Sequence, residues 1–137
     1  MSTQLIKLSR IAGWIVVSLG AIHSANTFFV IRDVAIFDAM WRGTILFMYV
    51  AAGLGCLLAG GGMLLSTADA IHKTIIAHHI YLISAIFMLL LGIGAPIAMS
   101  FNPFGYLSLA VGVFAVAVAI LRYRHSVISV PKYAIDQ

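Results

Sequence analysis

Four apolar runs, each long enough to cross a bilayer, follow one another with only short polar breaks: residues 11–31, 43–65, 75–99 and 103–121. A helix needs about 20 residues to cross the hydrocarbon core. No water is available there for a backbone N–H or C=O, so a spanning segment must satisfy its own backbone groups. Helices do so; the alternating ten-residue pattern of barrel strands is absent from the sequence. Short connections force neighbouring helices to run antiparallel. The expected fold is all-α: an integral membrane, antiparallel four-helix bundle occupying residues 1–137 as a single transmembrane domain.

Composition supports this reading. Hydrophobic residues make up 63% of the chain and charged residues 9%, whereas a soluble domain is about half apolar and about a quarter charged. An ordinary soluble enzyme, a disordered tail and a nucleic-acid-binding module are excluded. The basic balance, with eight Lys and Arg against four acidic residues, has its residues at the ends of the apolar runs, where they act as topology signals. Lys7, Arg10, Lys73, Arg122, Arg124 and Lys132 fall on one side and Arg32 and Arg42 on the other. The positive-inside rule then puts both termini in the cytoplasm, with the bundle in the plasma (inner) membrane. Trp14 and Tyr123 are expected at the inner interface, Trp41 and Tyr106 at the outer. The first run is read as a retained span, since a cleaved leader has an apolar stretch of about 7–15 residues and His23 stands where a cleavage site near Ala25 wants a small residue.

Close helix packing in lipid relies on small residues, and each run carries such a stripe. They are Gly13, Val16, Gly20, His23 and Thr27; Ala52, Gly55, Ala59, Gly62 and Ser66; His78, Leu82, Ala85, Leu89, Gly92 and Pro96; and Gly105, Ser108, Gly112, Ala115 and Ala119. The opposite face of the third run, Ile83, Ile86, Leu90, Ile93 and Ile97, suits lipid. Gly60-Gly61-Gly62 is expected to loosen its helix.

His23 is the one ionisable residue deep in a run, and such residues are functional candidates because burying them is costly. Asn26 and Thr27 follow at helical spacing. At about 1.5 Å per residue, the same depth is reached near Tyr49 on the second run and near Ser108 on the fourth. A ligand-binding cluster of His23, Asn26, Thr27, Tyr49 and Ser108 is expected, able to hold a quinone headgroup, pass a proton or bind another ligand. The alternative is a neutral histidine acting as interhelical glue. Haem fits poorly: His78 lies about 13 Å from the depth of His23 by the same rise, and His72, His78, His79 and His125 read as interfacial. No metal site is expected, because no Asp or Glu falls within a run. Cys56, alone in the chain, excludes an internal disulfide or a Cys-x-x-Cys pair. No catalytic constellation is present, so no catalytic residue is assigned and no enzyme activity is expected.

The order Gly13-Trp14, Gly20, His23, followed by a second span led by Trp41, resembles small bacterial four-helix membrane proteins of the DoxX-like group. That resemblance implies membrane subunits associated with quinone-linked oxidoreductases and carries over to His23 alone. The functional expectation is a multi-pass membrane protein acting as a structural or accessory subunit. The alternatives are an oxidoreductase subunit binding quinone near His23 and a small oligomeric transporter. Expected partners are the lipid bilayer and either further copies of the chain or a partner membrane protein, with no nucleic acid.

Overall fold

A computed structural model describes residues 2–98 and 103–128. Among the described residues there are four long helices and no strand: α1 (Thr3–Asp33), α2 (Ala39–Leu65), α3 (Ile75–Ala98) and α4 (Pro103–Ile128), with a single 3-10 turn at Val34–Ile36 between the first two. All four are long and apolar enough to cross a membrane. The turn expected at Ser100-Phe101-Asn102 lies outside the described residues, as do Met99 and Lys132.

Three helices outrun their apolar stretches, α4 by continuing past Leu121 to Ile128. α1 starts at Thr3, where the Ser2 hydroxyl accepts from the Leu5 amide at 3.3 Å and caps the first turn. Leu5 and Ser9 then turn into the bundle and are buried. At its 31 residues, α1 is about 46 Å long, well beyond the hydrocarbon thickness of about 30 Å. The extra length carries Lys7 and Arg10. α2 starts at Asp38, whose carboxylate accepts from the Met40 and Trp41 amides, both at 3.0 Å. That negative charge also suits the positive end of the helix dipole.

Glycine sets the pairing. A Cβ on Gly20 would lie 2.8 Å from the Leu57 backbone nitrogen, and one on Gly60 would lie 2.7 Å from the Val17 nitrogen. α1 and α2 therefore touch backbone to backbone. α3 and α4 do the same: a Cβ on Gly92 would come within 2.5 Å of the Leu109 Cα, and one on Gly112 within 2.7 Å of the Leu89 Cα. Between the hairpins the approach is looser. Gly55 and Gly62 on α2 receive side chains of α3, the Phe87 ring and the Ser84 hydroxyl, in place of backbone. The bundle is thus two tight hairpins joined through side chains.

α2 uses two glycine faces where the sequence stripe shows one. Gly53 and Gly60 press on α1, and Gly55 and Gly62 meet α3. Gly60-Gly61-Gly62 does not interrupt the helix, which continues to Leu65; two of its glycines are contact surfaces. On α4 the stripe Gly105, Ser108, Gly112, Ala115 and Ala119 is buried throughout. On α3, Ile83, Ile86, Leu90, Ile93 and Ile97 are all exposed, which in lipid is the apolar exterior a span requires. Val16, Met63, Tyr81, Met88 and Val118 fill the core between the hairpins.

Candidate functional site: a distal cleft at His23

The end of the bundle where α1 begins and α4 ends is here called basal, and the opposite end distal. The looser contact between α2 and α3 opens distally into a cleft of about 690 Å³. Small residues on all three flanking helices, Ala51 and Ala52, Gly94 and Ala95, and Gly105, leave the space. Aromatic side chains bound it: Phe47 and Tyr49 from α2, Phe87 from α3 and Phe104 from α4. Of α1, only His23 reaches it.

His23 is half-buried. Its ring stacks on Tyr49, with centroids 3.8 Å apart and planes 15° from parallel, and Phe104 leans on it at 5.7 Å. Aromatic pairs add about 0.5–1.5 kcal/mol beyond the area they bury. The backbone of Tyr49 also interacts with the imidazole. Nε2 is shielded from solvent and has no hydrogen-bond partner. A shielded, unpartnered polar atom costs about 1–3 kcal/mol, and the same atom becomes favourable once a ligand group meets it.

The five residues expected to cluster divide. His23, Tyr49 and Ser108 line the one cleft. The Ser108 hydroxyl donates to the Phe104 carbonyl at 2.8 Å, which leaves its oxygen lone pairs as acceptors. Thr27 is half-buried with an unpartnered hydroxyl but does not line the cleft. Asn26 is exposed: at three residues from His23 it has rotated off the bundle face toward the outside. The aromatic wall of Phe47, Phe87 and Phe104 and the contribution of Cys56 were not singled out from the sequence, where apolar residues in a span look alike.

The basal end holds a second polar group. Arg122, placed by sequence just beyond the fourth span, is 1% exposed and lies inside the helix α4. Its Nη2 donates to the Ser66 carbonyl at 3.1 Å, and its guanidinium carbon lies 4.4 Å from the Tyr81 ring centroid. Ser66 ends α2, so Arg122 serves a free C-terminal carbonyl and the negative end of the helix dipole. Arg10 does the same from α1, donating to the Thr67 carbonyl at 3.1 Å and pairing with Asp69 at 3.4 Å. His78 is buried beside this group and is no interfacial side chain, while His79 is exposed. The Tyr81 hydroxyl interacts with the Ser9 side chain, while Nδ1 of His78 and Nε and Nη1 of Arg122 have no hydrogen-bond partner.

Among the described residues no cluster of His, Cys, Asp or Glu is arranged to hold a metal ion. Comparison with known proteins adds no constraint: no family model, curated protein or solved structure matches the chain.

Proposed function

We propose that this four-helix membrane protein binds a quinone-type molecule in the distal cleft and acts as an accessory subunit that holds it for a partner membrane protein. The cleft at His23 carries the reading. Its volume falls within the range of about 300–1,000 Å³ usual for small-molecule sites, which are mostly apolar with a few convergent polar groups. A quinone head is flat, apolar on both faces and polar only at its carbonyl edges. The aromatic wall matches the faces, and the unpartnered Nε2 of His23 supplies one edge contact, as an acceptor for the hydroxyl of the reduced, quinol form when the other ring nitrogen donates to the Tyr49 backbone. Phe47, Met48 and Leu90 line the cleft and are exposed on the lipid side, so a membrane-dissolved ligand can enter from the bilayer.

His23 meets Tyr49 of α2 through its stack and a backbone contact, as interhelical glue would, but its shielded Nε2 is left over for a ligand. A transport pathway is disfavoured by the filled core below the cleft, where Met63, Tyr81 and Met88 are fully buried. The DoxX-like resemblance, which carries over to His23 alone, points to the same class of ligand. The excess of Lys and Arg at the basal end supports an orientation with that end in the cytoplasm and the cleft in the outer leaflet half.

Titration of the detergent-purified protein with a short-tailed quinone, followed by calorimetry, tests the reading. Saturable binding that falls at least about tenfold in His23→Leu, the loss of one good polar contact of about 1.4 kcal/mol, is the expected result. No saturable heat with the native chain would contradict it.

A further inference from the structure

A second recess opens at the basal end, between the start of α1 and the end of α4. It measures about 420 Å³, with Gln4, Arg124 and His125 around it and Leu5, Leu8 and Leu121 among its lining. The order along the membrane normal is informative. α1 runs from its basal start, so Gln4 lies outermost and Leu8 deeper; α4 runs the other way, so Leu121 lies deeper and Arg124 and His125 outermost. The recess is polar and basic at its rim and apolar within.

Charge along the bundle is uneven in the same direction. At the basal end Lys7, Arg10, Lys73, Arg122 and Arg124 face Asp69 alone among the described residues; at the distal end Arg32 and Arg42 are matched by Asp33 and Asp38. Asp69 is already engaged by Arg10. Arg122, next to Leu121 in the recess wall, is nearly inaccessible and has two guanidinium nitrogens without an acceptor. A buried cation without a counter-charge is costly, and an anion held within a helical turn of it offsets part of that cost even without contact.

We propose that this groove seats one anionic phospholipid, its phosphate at Arg124 and His125 and an acyl chain along Leu5, Leu8 and Leu121. The lipid is favoured over a free phosphate because the deeper half of the recess is apolar and would leave a small anion against leucine. Basic recesses between helices at a membrane surface have the form that recognises acidic headgroups. The site is separate from the distal cleft and shares no residue with it.

The test uses the full chain reconstituted in mixed phosphatidylcholine and phosphatidylglycerol vesicles, extracted gently and weighed intact by native mass spectrometry. The native protein is expected to retain phosphatidylglycerol over phosphatidylcholine, and Arg124→Gln to reduce that preference about fivefold, the weight of one basic group at an anionic surface. Arg124 is exposed, so the variant keeps its fold, checked by circular dichroism. Arg42→Gln, at the distal end and also exposed, is expected to leave retention unchanged. Equal retention of the two lipids by the native chain would overturn the proposal. So would a preference that survives Arg124→Gln, or one lost equally in Arg42→Gln.

Discussion

The imidazole of His23 lies flat on Tyr49 at 3.8 Å, and this contact decides how the ring is presented to the cleft. Tyr49→Phe keeps the stack and is expected to keep both stability and quinone binding. Tyr49→Ala removes it, at a cost of about 0.5–1.5 kcal/mol for the aromatic pair beyond the area lost, readable as a lower melting temperature in detergent. Equal stability of Tyr49→Ala and Tyr49→Phe would show that the stack does not hold the ring. Arg122 has a different role. Arg122→Met deletes a charge-assisted bond to the Ser66 carbonyl and the contact with Tyr81, and is expected to destabilise by about 2 kcal/mol. A Met variant as stable as the native chain would mean that the buried charge is a net burden there. His23 was legible in the sequence because it interrupts an apolar run; Arg122 was not. An arginine following Leu121 has the same signature whether it marks the membrane surface or turns inward, and only the position of Ser66 on another helix decides.

At the scale of the helices, glycines divide by what they face. Gly92 leaves no room for a methyl group, since its Cβ would come within 2.5 Å of the Leu109 Cα on α4, while Gly61 faces open space. Gly92→Ala is therefore expected to cost about 1–3 kcal/mol through forced separation of the backbones. Gly61→Ala is expected to gain up to about 1 kcal/mol from helix propensity. Thermal unfolding of the two variants in one detergent checks the pair, and the opposite order would contradict the hairpin packing. The lengths of the apolar runs made the number and kind of elements readable. Their ends were less so: the basal turns of α1 are polar yet helical because Ser2 caps them and Leu5 and Ser9 pack inward. The stripe on α4 was readable because that helix has a single buried face. The one on α2 was incomplete because that helix serves neighbours on both sides, and spacing alone does not separate Gly53 and Gly60 from Gly55 and Gly62.

For the whole molecule, backbone contact within each hairpin and side-chain contact between them produce a bundle whose α2–α3 seam opens distally. The cleft is a consequence of that arrangement: residues at one depth could be matched by counting along each run, which brought His23, Tyr49 and Ser108 together, but the gap between α2 and α3 depends on their separation and could not be counted. The orientation proposed here rests instead on the excess of Lys and Arg at the basal end. With Cys56→Ala as background, Ala35→Cys at the distal end is expected to react with an impermeant thiol reagent added to intact cells, and Thr3→Cys at the basal end to react only after lysis. Labelling in the reverse order would put the cleft on the cytoplasmic side.

The central claim is that the distal cleft holds a quinone. Its most direct test is mass spectrometry of the organic extract of protein purified in mild detergent, from the native chain and from Ala52→Phe, which fills the cleft from α2 and leaves His23 unsubstituted. The account predicts quinone near one molecule per chain in the native protein and its loss in a folded Ala52→Phe. A native protein carrying only bulk lipid, or quinone retained undiminished when the cleft is filled, would contradict it.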